Sequence, residues 1–164
     1  MSTAADLIER FGMVPHPEGG HYCELHRSTM AVTADDGSGR VRRAYTTIHF
    51  LLTGDEFSAW HRLSSDETWL HHEGCDVTIH QLHHDGTVTS HGIGRSAGAY
   101  QCTIPAHTWF AAAPVDPASF SFVSCVVGPG FEFADFELAT RDQLRREFAD
   151  RAGIAGWIDR FTRA

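Results

Sequence analysis

Between Tyr22 and Leu138 the sequence is divided into short apolar, β-branched and aromatic runs separated by turn residues, a pattern that leaves no room for long helices or a parallel α/β sheet. The runs are Tyr45–Leu52, Ser58–Arg62, Thr68–His72, Val77–Leu82, Val88–His91, Tyr100–Ile104, Trp109–Ala112, Phe120–Val127 and Phe131–Leu138. Their number and close spacing predict an all-β sandwich or barrel. His84-Asp85-Gly86 and Thr53-Gly54-Asp55 read as hairpin turns in which glycine supplies a positive φ.

The two ends are written differently. Apolar residues at helical spacing predict a short helix over about 3–12, capped by Ser2 or Thr3 and stopped by Gly12. Pro15-His16-Pro17-Glu18-Gly19-Gly20 must then be a loop. Thr140 followed by Gln143 reads as a capping box, and Leu144, Phe148, Ile154, Trp157, Ile158 and Phe161 give C-terminal helices over about 140–162 an apolar face for the barrel. With no repeat or linker, 1–164 is expected to form one domain, with the barrel over about 20–138.

Charge narrows the partners. Thirteen Lys and Arg against 21 Asp and Glu give a formal net charge of −8, the wrong sign for general attraction to nucleic acid or an anionic membrane. No apolar run approaches the ~20 residues of a membrane span, and no signal pattern opens the chain, so a cytoplasmic protein is expected. Cys23, Cys75, Cys102 and Cys125 form no C-x-x-C pair and read as free thiols.

The chemistry concentrates in Trp60-His61-Arg62-Leu63-Ser64-Ser65-Asp66-Glu67-Thr68-Trp69-Leu70-His71. On the second strand of this unit a period of two puts Glu67, Trp69 and His71 on one face, and His61 can approach Glu67 across the hairpin. If that face is the barrel interior, His61 and Glu67 are an acid–base pair and Trp69 walls their cavity. Tyr45 and Tyr100 are candidate proton donors with nothing to place them. His80, His83 and His84 flank a turn and read as solvated surface.

Gly54, His61, Leu63, Glu67 and Gly74 resemble the first cupin motif, and Pro105-Ala106-His107-Thr108-Trp109-Phe110 resembles part of the second. A wider set is similar to a cupin subfamily long catalogued as a domain of unknown function: Pro15 to Tyr22, Arg27-Ser28, Ser58 to Arg62, Ser65-Asp66-Glu67, and Gly128 to Leu138. The resemblance implies a double-stranded β-helix, the cupin jelly-roll barrel. It also implies a homodimer and a comparison with dTDP-4-dehydrorhamnose 3,5-epimerases.

A metal cupin uses three histidines and a glutamate, but Leu63 and Phe110 stand at two of those positions. His61 and Glu67 alone are too few ligands, unless His71, His49 or His107 substitutes to complete a Zn, Ni, Fe or Mn site. The resemblance, with its epimerase comparison, implies a cofactor-free epimerase or isomerase acting on a sugar or other small polar carbonyl metabolite. His61 is its base, and Trp69, His71, His49, His107, Phe110, Glu18 and Arg27 are candidate substrate contacts. The alternatives are a metal-dependent dioxygenase, isomerase or lyase, and a non-catalytic small-ligand binder.

Overall fold

The computed structural model describes residues 2–151 and 153–163. A helix, α1 (Ala4–Phe11), opens the chain, and 13 strands follow: β1 (Val14–Pro15), β2 (His21–Arg27), β3 (Ala31–Thr33), β4 (Val41–Arg43), β5 (Thr46–Thr53), β6 (Ser58–Leu63), β7 (Asp66–Gly74), β8 (Val77–Leu82), β9 (Val88–Ile93), β10 (Gln101–Ile104), β11 (Trp109–Pro114), β12 (Phe120–Gly128) and β13 (Phe136–Leu138). Helices α2 (Arg141–Glu147) and α3 (Ala155–Phe161) close it.

The strands form a six-stranded sheet, ordered β1-β2-β5-β12-β7-β10, and a five-stranded sheet, ordered β13-β6-β11-β8-β9, with β3 and β4 as a separate hairpin. This is the jelly-roll architecture that the run of short strands predicts. Phe50, Trp69, Val123 and Cys125 of the first sheet meet Ile79, Ile93 and Phe110 of the second in the core between them. Alternation sends the neighbouring residues outward. Leu51 and Phe122 pack under α1 with Leu7 and Met13, while Trp60, Leu82 and Ala111 pack under the C-terminal helices with Leu144, Phe148, Ile158 and Phe161.

The helix ends follow the sequence signals with one difference. Thr3 and Asp6 form a reciprocal capping box, and Gly12 ends α1 in the left-handed region at φ 58°. The Thr140 hydroxyl accepts from the Gln143 backbone N–H, but the Gln143 amide donates to Glu137 instead of returning to the cap.

Two local expectations are corrected. Gly86 has φ 84° as its hairpin requires, whereas Gly54 has no positive φ. Its small size matters for another reason, since a Cβ there would strike the backbone of Asp116 and Pro117. Phe131–Leu138 is not one strand. A 3-10 turn over Phe133–Asp135 interrupts it, held by Arg42 Nε donating to Asp135 Oδ2 at 2.6 Å, and only Phe136–Leu138 pairs, with β6. Aromatic content alone favours a strand there, but the long-range ion pair decides the conformation.

Candidate functional site

A cavity of about 90 Å³ lies between the sheets at one end of the barrel, and His61 and Glu67 both line it. β6 supplies His61 and β7 supplies Glu67, and both side chains are buried. No direct hydrogen bond joins them. Glu67 Oε1 accepts from the Trp69 indole N–H at 3.1 Å. His61 donates from Nδ1 to the Ala59 carbonyl at 2.7 Å, and its Nε2 faces Glu18 Oε2 at 3.3 Å.

Glu18 is brought in by the loop that joins β1 to β2. The loop folds back on itself through His16 N–H to the Gly20 carbonyl at 2.9 Å and Gly19 N–H to the His16 carbonyl at 3.0 Å. Gly19 has φ 116°, and a Cβ there would collide with Arg163 and the Phe57 carbonyl, so the loop cannot take this path with a side chain at that position. Arg163 then clamps the outside, donating to the Glu18 and Phe57 carbonyls at 3.1 Å each. Inside, Ser58 donates to Glu18 Oε1 at 2.7 Å.

The hydrogen bonds fix where the protons stand. Because a carbonyl only accepts, the Ala59 contact puts a proton on His61 Nδ1 and leaves a lone pair on Nε2 of the neutral ring. His16 Nδ1 accepts the Glu18 backbone N–H at 3.3 Å and also faces Glu18 Oε2 at 3.3 Å. Two nitrogen lone pairs therefore converge on one carboxyl oxygen. A proton on Glu18, shared with one of them, relieves that arrangement.

Burial acts in the same direction. It raises Glu18 above the usual carboxylate range, against the pull of His16 and Ser58, and it lowers both His16 and His61. Burial also pushes Glu67 up to about 7, opposed by His61 and reinforced by Glu18. At neutral pH the cavity therefore holds neutral imidazoles, a Glu18 carboxyl whose protonated form burial favours, and a second carboxyl, Glu67, near its midpoint.

The other sequence candidates are distributed unevenly. Phe110 is buried with its ring 4.0 Å from that of His61. Trp69 touches the cavity only through its bond to Glu67, its ring being packed in the core against Phe50 and Phe110. Arg27 lines the mouth, but its guanidinium is bound to Glu24 and Glu132 at 2.7 and 2.8 Å and to the Phe131 carbonyl at 3.0 Å.

The remaining histidines lie elsewhere. His49 points to the outer face, where it meets Phe11, Phe122 and Ser124. His71 bonds the Cys75 carbonyl at the other end of β7, and His107 is an exposed turn residue at φ 64°. None of these three can complete a ligand set with His61 and Glu67. Among the described residues no three His, Cys, Asp or Glu side chains are grouped to hold a metal ion, and Glu18 and His16 are already satisfied by each other and by Ser58 and His61. The donor set does not fit the three-or-four-ligand metal that the cupin fold often carries.

Sequence reasoning missed His16 and Tyr22 as cavity residues. Tyr22 follows the loop on β2 and is the tyrosine that faces the site, while Tyr45 and Tyr100 are exposed. His80 is another correction: it is buried under α3 against Trp157 and Phe161 and bonds Ser90 at 2.7 Å, and burial lowers it to about 4.

Residues 5–139 match the family described as Cupin superfamily (DUF985). The chain belongs to that family. A hypothetical protein from Leishmania major is similar to this cupin at 34% identity and TM-score 0.88, with 99% of this chain and 100% of that chain covered. A protein from Shewanella oneidensis is similar at 33% identity and TM-score 0.85, with 99% of each covered. A cupin 2 domain-containing protein from Halorhodospira halophila shares the fold at 15% identity and TM-score 0.55, over 92% of this chain and 88% of that one. No curated protein matches the cupin. No helix among the described residues is long and apolar enough to cross a membrane.

Proposed function

We propose that this cupin is an isomerase or epimerase that moves a proton on a carbon next to a carbonyl in a small polar metabolite, a sugar or sugar-like compound included. The observation that carries the reading is the convergence of a neutral His61 Nε2 with Glu18 and Glu67 in one enclosed cavity. Glu18 passes its proton to His61 Nε2 and takes the proton from carbon, while Glu67, near its midpoint at neutral pH, gives a proton to the carbonyl oxygen. The resulting enol returns to ketone by the reverse transfers, with carbon protonated on another face or another atom. His61, held by Ala59 and facing Glu18, stores the proton that Glu18 passes on.

The site alone supports this reading, since a fold shared with many activities assigns none. The test is deuterium incorporation. Small ketoses, hydroxyketones and aminoketones incubated with the protein in D₂O are expected to gain carbon-bound deuterium by mass spectrometry, and His61→Ala is expected not to promote it. Ligands that bind without exchange would favour a non-catalytic binding protein and overturn the enzymatic reading.

A further inference from the structure

Around the acid–base groups the cavity is walled by aromatic rings and carboxyls, with very little that could attract an anion. Phe131, Phe133 and Phe136 stand around the mouth with centroids 5.0 to 6.2 Å apart and interplanar angles of 61° to 81°. Tyr22 meets His16 edge-on at 4.7 Å on the same wall. Phe133 is 53% exposed, which core packing does not explain. Aromatic rings carry negative charge on their faces, so a cluster of them at an opening offers a cation a favourable surface and an anion none.

Charge has the same sense. Glu18, Glu24, Glu67 and Glu132 line the cavity against a single arginine, Arg27. Arg27 uses Nε and both terminal nitrogens on Glu24, Glu132 and the Phe131 carbonyl. A phosphate or carboxylate entering here meets no unengaged cation and several acidic groups. An ammonium group meets aromatic rings and carboxyls that can ionise to receive it, and the formal charge of −8 draws cations toward the protein.

We propose that the cavity selects small metabolites bearing a positively charged amine and rejects phosphorylated or carboxylated ones. The carbonyl in such a substrate rests on the acid–base reading above, whereas the preference for a cation rests on the walls alone. Binding is coupled to ionisation of Glu67: the cation stabilises the carboxylate, so a proton leaves for the buffer and affinity rises as pH is raised through about 7.

Two matched probe series test the proposal on the intact protein by calorimetry and ligand-observed NMR. One is aminoacetone, hydroxyacetone and pyruvate. The other is glucosamine, glucose and glucuronate. In at least one series the amine is expected to bind about tenfold tighter than the neutral compound, with the anion weakest. Proton release is expected for the amine alone.

Phe133→Ala, at an exposed position, is expected to cut amine affinity several-fold more than the affinity of the neutral compound, narrowing the gap between them. Glu67→Gln is expected to erase the preference and the proton release. Anions binding as well as amines, or no amine binding in either series, would overturn the proposal. If the amine binds but gains no deuterium, the acid–base reading fails and the ligand class stands. If hydroxyacetone or pyruvate exchanges with no preference for the amine, the ligand class fails and the acid–base reading stands.

Discussion

Glu18 Oε2 lies 3.3 Å from His61 Nε2, and the other nitrogen of that imidazole is already committed to the Ala59 carbonyl. The relationship joins a loop to a strand more than 40 positions away and turns two buried groups into a proton store. Removing the proton while keeping the shape is therefore informative. Glu18→Gln retains an acceptor for Ser58 and an N–H for His61, so the melting temperature is expected to stay within a few degrees of wild type. Deuterium exchange is expected to fall about 100-fold or more, as for loss of a general acid–base group. Unchanged exchange would assign Glu18 a structural role.

Glu67 gives stability a pH dependence of definite sign. Its folded-state pKa, about 7, lies above the ordinary value of 4.5. The native state therefore holds a proton that the unfolded chain has lost between those values. The stability associated with the protonated form is fully present below 4.5 and is lost as pH rises through 7, by on the order of 3 kcal/mol. The lowered histidines act oppositely and are common to both proteins. Denaturation of wild type and Glu67→Gln at pH 5 and pH 8 is expected to show the variant losing less stability over that interval.

The loop carrying Glu18 depends on Gly19 and Arg163. Gly19→Ala places a Cβ against Arg163 and the Phe57 carbonyl at a φ of 116°, and it is expected to cost on the order of 2 kcal/mol by thermal unfolding. Arg163→Ala removes two hydrogen bonds and the stacking on Phe57 at 5.2 Å. It is expected to lower exchange by releasing Glu18 while leaving the barrel folded, as read by circular dichroism.

The barrel was legible in the sequence because many short strand-like runs are separated by turns, and Glu67 with Trp69 could be placed on one inward face by the period of two along β7. The same parity shows why His49 fails: Ile48 and Phe50 point into the core, so His49 between them points out. Glu18 was named as a candidate contact, but its pairing with His61, and His16 and Tyr22 as site residues, were not legible. Their position depends on a loop folding against a distant strand, and no periodicity encodes such a contact. His80 misled for a related reason, since its burial comes from α3 packing over an outward-facing position.

The edge of the six-stranded sheet bears on assembly. β1 pairs with β2 only at His21 and Tyr22, leaving Cys23–Arg27 without a strand on that side among the described residues, and Leu25 is 48% exposed there. We propose that a second copy covers this edge. Sedimentation equilibrium is expected to give twice 18.1 kDa, and Leu25→Lys is expected to shift the protein toward monomer. A wild-type monomer at micromolar concentration would contradict the homodimer.

The proton arrangement in the cavity is open to direct observation by ¹⁵N–¹H correlation NMR of the histidine rings at pH 7. The expected spectrum shows a neutral His61 with a protonated Nδ1 and a pyridine-like Nε2, and Glu18→Gln retains the same tautomer. An imidazolium at His61, or a neutral ring protonated at Nε2 instead of Nδ1, would contradict this arrangement.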